Sequence, residues 1–188
     1  MSILLLGLLL FFGVHIAASI PNVRAAAIAR TGENGWRGVV TINAIAGLGL
    51  VVLGWKGAPN TPLFAPSALA IQFAPLLITL SLILFFIGGL NLRGHVKRRL
   101  HHPMLIGAVL WSLTHLLANG GARETLLFGS FLAFSLYELA SNFARGKYAT
   151  HTPLIRYDLI GLLVGIAVAK AVLVWHQWLF AVPGYLPQ

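Results

Sequence analysis

Seven histidines and no cysteine set the chemistry open to this chain of 188 residues. Without thiols there is no disulfide, no Fe–S cluster, no thiolate-ligated haem and no C-x-x-C-H attachment of c-type haem. A metal would be held by imidazole, carboxylate or carbonyl groups. His15, His102, His115 and His176 fall within or at the edges of apolar stretches. Ionisable side chains are costly there and tend to mark working sites. His95, His101 and His151 fall in polar connections near Arg and Lys residues and read as solvated or headgroup-facing. The densest segment runs from His102-Pro103-Met104 through Trp111 to His115-Leu116-Leu117-Ala118-Asn119-Gly120.

On a helix, Trp111, Ser112, His115 and Asn119 share one stripe. That face suits interhelical hydrogen bonding and equally suits a ligand or substrate. Asn119 is placed to close the helix C-terminus. Ser135, Glu138 and Asn142 form a second stripe. A buried Glu138 carboxylate needs a partner, which His15, an inner-loop Arg or the second nitrogen of a ligating histidine would supply. Lys170 sits within the last apolar stretch and reads as a snorkelling lysine, with an anionic ligand group as the alternative.

The elements that position these residues are membrane helices. The chain is 58% hydrophobic and only 9% charged, against about a quarter charged in soluble domains. Six apolar spans can be drawn: Ser2 to Ile20, Val39 to Trp55, Ala68 to Leu90, Pro103 to Asn119, Thr125 to Phe143 and Asp158 to Phe180. Each is near the roughly 20 residues needed to cross a hydrocarbon core. The first lacks a basic flank before its apolar run and reads as a retained helix, not a signal peptide. The fold class is all-α: one polytopic domain over 1–188, with six transmembrane helices in one bundle. Gly161, Gly165 and Ala169 make a small stripe for close helix approach, within the chain or at a homo-oligomer face.

The net charge of +9 sits in short connections. Its simplest use is to set topology and meet anionic lipid, not nucleic acid. Arg24, Arg30, Arg37, Arg93, Lys97, Arg98, Arg99, Arg145, Lys147 and Arg156 fall on one side, Lys56 and Arg123 on the other. Positive connections stay cytoplasmic, so both termini face outward. The expected location is a bacterial inner membrane, with periplasmic termini.

Depth sorts the histidines. At 1.5 Å per residue, His15 lies roughly 8 Å from the inner end of its span. His102 sits at the inner start of the fourth span, before Pro103. His115 lies about 19 Å further along, in the outer half, as does His176. His102 and His115 therefore cannot face each other across one iron. A bis-imidazole site would take His15 with His102 or His115 with His176. The competing reading makes His15 a core histidine bonded to Asn43 or Glu138, and His102 a headgroup neighbour of Arg98 and Arg99.

The His102–Gly120 segment, together with Gly13-Val14-His15, resembles the NnrU family of bacterial membrane proteins associated with denitrification. More distantly it is similar to the plant zeta-carotene isomerase, a haem protein. The resemblance implies non-covalent haem b, with His15 and His102 as candidate metal ligands. It implies a cofactor site that also draws on Trp111, His115, Asn119 and Glu138. The plant protein's ligand exchange involving cysteine cannot occur here. The family often has an acid after its Asn-Gly pair, where this chain has Gly121, so an acid in that outer loop is not expected. Three functions follow as expectations. The first is a haem b protein moving electrons or handling a diatomic gas beside a nitrogen-oxide-pathway protein. The second is a haem-dependent cis–trans isomerase acting on a polyene. The third is a cofactor-free transporter or scaffold. No catalytic residue is singled out.

Overall fold

The computed structural model describes residues 1–180. The described residues are helical except for connections and one isolated antiparallel bridge between Pro62 and Gly121. The helices are α1 (Ser2–Ser19), α2 (Pro21–Gly57), α3 (Ala68–Gly89), α4 (His95–Leu100), α5 (Pro103–Ala118), α6 (Ala122–Ala144) and α7 (Ile155–Phe180). Five of them, α1, α2, α3, α6 and α7, are long and apolar enough to cross a membrane. α5 is apolar but has 16 residues, about 24 Å of helix against a core of about 30 Å.

One expected connection is instead helical. Residues 21–38 continue α2, which starts at Pro21. Proline presets φ at a first helical position, and Ala25, Ala26 and Ala27 are the strongest helix formers. Arg24 and Arg37 both reach Glu33, at 2.9 and 3.3 Å, and hold the exposed segment. The turn breaks at Gly32, whose φ of 73° and ψ of 165° leave helical geometry. Only glycine adopts that backbone without strain.

The contacts gather into two compact units, residues 1–63 with 121–130, and residues 64–120 with the remainder from 131. In the first unit α1 packs on α2 through glycines. A Cβ on Gly7 would stand 2.6 Å from the Val51 nitrogen, and one on Gly47 would stand 2.7 Å from the Phe11 nitrogen. Gly54 abuts Leu4, which is fully buried. Close backbone approach is how helices gain dispersion in lipid, where no hydrophobic force drives them together. Ala122 N–H donates to the Thr61 carbonyl, 2.9 Å, and ties the start of α6 to the proline-rich connection.

In the second unit α3 is the central partner of α5 and α7. Ser81 donates its hydroxyl to the Gly107 carbonyl, 2.8 Å, in a fully buried bond between α3 and α5. Gly161 and Gly165 of α7 lie against Ile87 and Ile83 of α3. The small stripe is thus used within the chain. Asp158 near the start of α7 accepts from the His95 and Val96 amides, at 2.7 and 3.1 Å. It caps α4, a helix with no side-chain cap of its own. Asp158→Ala is expected to cost about 1–2 kcal/mol. Faster hydrogen exchange at the His95 and Val96 amides would register the loss, and unchanged exchange would refute the capping role.

Candidate functional site

His15 belongs to the first unit, and His102, His115, Asn119, Glu138 and His176 belong to the second. His15 stands on α1 one turn after Phe11. Its ring packs on the Phe11 ring at 4.5 Å between centroids, and Nδ1 lies 2.6 Å from the Phe11 carbonyl oxygen. A carbonyl only accepts, so Nδ1 carries the proton and a neutral ring keeps its lone pair at Nε2. Asn43, a candidate partner of His15, donates to its own helix at the Val39 carbonyl, 2.8 Å.

α5 repeats this arrangement. His115 follows Trp111 by one turn, with rings 5.0 Å apart and Nδ1 2.9 Å from the Trp111 carbonyl. Phe131 meets the other side of Trp111 edge-on at 5.3 Å. Asn119 donates to the His115 carbonyl, 2.7 Å, and closes the end of α5. Ser112 is buried and donates to the Ala108 carbonyl, 2.6 Å, not to His115. His176 lies within electrostatic reach of His115. The spacing of aromatic and histidine by four, present at 11/15 and 111/115, brings the two rings of each pair together.

His102 precedes α5 as its N-cap residue, with Pro103 at the first helical position. Its ring meets Phe143 edge-on at 5.2 Å. Nε2 is buried and has no hydrogen-bond partner. Burial pushes this imidazole below its usual 6.5. A backbone hydrogen bond at Lys147 opposes the shift, and the charges of His101, Lys147 and Lys97 add to it. His102 is therefore neutral at neutral pH, as metal ligation requires. Its neighbour His101 accepts from the Ala149 amide, 3.2 Å, and His151 donates to the Gly94 carbonyl, 3.1 Å. Both tie connections together.

Glu138 finds the arginine partner that its burial demands. Arg145 lies 3.7 Å from its Oε2, and Asn142 donates to the same oxygen at 3.4 Å. Oε1 remains buried without a hydrogen bond. Sequence reasoning missed a second buried carboxylate. Glu124, in the first turn of α6, is 5% exposed. It accepts from Arg123 Nε at 3.0 Å, while the Arg123 guanidinium lies 4.6 Å over the Trp55 ring. The side-chain ends of Asn60 and Glu124 lie against Gly121 and would have to shift to admit a Cβ there.

Among the described residues no group of three or more His, Asp or Glu could hold a metal ion by itself. The donor set suits a centre that asks the protein for one or two imidazoles. Porphyrin iron is such a centre, because the macrocycle fills the other positions. His15 and His115 each have Nδ1 against a backbone carbonyl one turn earlier, an arrangement that also orients metal-bound imidazoles. His102 presents a buried, unpartnered Nε2. These observations fit haem.

No curated protein and no solved structure matches the chain. The model of the family described as NnrU protein matches residues 3–184. With five helices apolar and long enough to cross a membrane and that match over nearly its whole length, the chain belongs to the NnrU family.

Proposed function

We propose that this chain is a multi-pass membrane protein that binds haem b non-covalently and serves denitrification, by electron transfer or by handling a diatomic nitrogen oxide. The family membership supports the link to denitrification. One observation carries the haem reading: His102 keeps a buried Nε2 with no hydrogen-bond partner. A buried acceptor left unsatisfied costs about 1–3 kcal/mol, and a bond to iron would remove that cost. His15 is its proposed counterpart, because the resemblance of Gly13-Val14-His15 to the family pattern implies a ligand there and Nδ1 is placed to donate to the Phe11 carbonyl. His115 with His176 is the alternative pair. Haem bound there would supply a one-electron couple and an iron able to meet small ligands. The chain's residues would hold the two imidazoles neutral and correctly turned, and Glu138 with Arg145 would fix the charge balance beside them.

We read both compact units as parts of one domain over 1–188, with α5 as a sixth, short span. Both termini would face outward in a bacterial inner membrane, because the basic residues concentrate on the opposite side. Reporter fusions at Gly94 and Lys147 should then report the cytoplasm, and fusions at Pro59 and Gln188 the outer side. A cytoplasmic signal from Gln188 would overturn the orientation. For the cofactor, chain purified from haem-deficient cells should take up added haem saturably. Uptake that rises linearly, as into empty detergent micelles, would refute the site.

The isomerase reading would need an apolar groove open to lipid. One lies between α3 and α5, lined by Ala70, Phe73, Leu77, Leu110, Leu113 and Thr114, with a volume near 450 Å³. It is large enough for part of a polyene chain, and this keeps isomerisation as the second reading.

A further inference from the structure

Lys170 lies fifteen residues after Ile155 and ten before Phe180 on α7. At 1.5 Å per residue it stands roughly 15 Å from the nearer end of the helix. It is exposed on the surface of the chain, and no hydrogen bond or ion pair reaches it among the described residues. A bare ammonium at that depth in lipid is costly. Snorkelling would relieve the cost only if the side chain ran toward the Phe180 end. In a helix each Cα–Cβ bond tilts toward the N-terminus, here toward Ile155 and away from the nearer surface. The lysine therefore starts out in the wrong direction.

Its surroundings form one continuous face. Leu159, Leu163, Ala167, Lys170, Val174 and Trp178 recur every three or four residues and are all exposed. The opposite face, with Gly161 and Gly165, is the one packed on α3. Spacing by three and four is how a helix meets a second helix along a seam.

Among its described residues the chain has no acidic side chain that reaches this lysine. It has four acidic residues. Glu33 holds Arg24 and Arg37, Glu124 holds Arg123, Glu138 holds Arg145, and Asp158 caps α4. A second copy brings the same four, equally engaged. We infer that the Lys170 face of α7 docks a transmembrane helix of another protein that carries a carboxylate at matching depth. Neither partner would be at ease alone in lipid, so the pair confers specificity as well as affinity. This inference is independent of haem.

The test uses the full chain in phosphatidylcholine vesicles, which hold no anionic headgroup. The probes are Leu/Ala transmembrane peptides of about 24 residues with a central Glu, Gln or Leu, and association is read by energy transfer. The Glu peptide should bind roughly 5- to 30-fold more tightly than the Leu peptide. Lys170→Leu should remove that preference, and Lys170→Glu should transfer it to a peptide with a central Lys. The chain has no cysteine, so Val174→Cys and Ala167→Cys report the face without background. Both should form disulfides with a cysteine-bearing Glu peptide. Equal binding of all peptides, preference retained in Lys170→Leu, or loss of the preference on adding anionic lipid would overturn the inference. Disulfides formed mainly between two copies of the chain would also overturn it, by assigning the face to self-association.

Discussion

His102→Ala and His15→Ala should each purify with no more than about a tenth of the haem of the unaltered chain, a loss at least as large as outer-shell changes cause at metal sites. The expectation rests on separate observations at the two residues. His102 has a buried Nε2 with no hydrogen-bond partner among the described residues. His15 has its Nδ1 pinned 2.6 Å from the Phe11 carbonyl, so its lone pair faces away at Nε2. His115→Ala should keep its haem and lose about 1–2 kcal/mol of stability as the contacts of Trp111 loosen. Free imidazole added during reconstitution should restore haem to His102→Ala, because the vacated ligand position accepts a small imidazole. A structural histidine would not be rescued in that way. Haem lost from His115→Ala and His176→Ala but kept by the other two variants would move the site to the outer pair.

Gly107→Val should force apart α3 and α5 in the framework that carries this site. A Cβ at Gly107 would stand 2.6 Å from the Ser81 carbonyl oxygen and 2.8 Å from the Phe85 nitrogen. Both atoms are backbone of α3, so relief requires the helices to part. Parting them strains the buried bond from Ser81 to the Gly107 carbonyl. Overpacking costs 1–3 kcal/mol in ordinary cores, and a loss of about 3 kcal/mol is expected at this backbone contact. Gly13→Ala and Gly129→Ala are the controls, because nothing lies within 4 Å of a Cβ at either position. They should change stability by less than about 1 kcal/mol, with helix propensity favouring alanine. Thermal unfolding in detergent ranks the three. A Gly107→Val protein as stable as the controls would refute the close α3–α5 contact.

Five of the apolar spans correspond to helices long enough to cross a membrane, and they were legible because apolar runs end near a proline, a glycine or a charge. α1 ends beside Pro21, α5 starts at Pro103, and α3 ends at Gly89, all within a residue or two of the sequence reading. The helix over residues 21–38 was not legible. Its polar, Arg-bearing composition carries no membrane signal, and Gly32 in its middle reads as a loop although it only breaks the turn. The stripe of Gly161 and Gly165 announced a close contact, but small residues look alike whether they face a neighbour or a second copy. Only the position of Ile83 and Ile87 assigns it. At the candidate site, residue types and the helix that carries each could be read directly. The proton positions on His15 and His115 could not, since they depend on a ring reaching back to a carbonyl four residues earlier. Glu124 escaped notice because its value lies in burial against Asn60 and Gly121, far away in sequence from Asn60.

The central claim is tested most directly by the absorbance spectrum of the unaltered chain purified from haem-sufficient cells, recorded oxidised and then reduced, with haem counted per protein. The account predicts a haem spectrum that sharpens on reduction. It also predicts haem b that leaves the protein on acid extraction, since no cysteine is present to attach it. A colourless chain that also fails to take up added haem would contradict it.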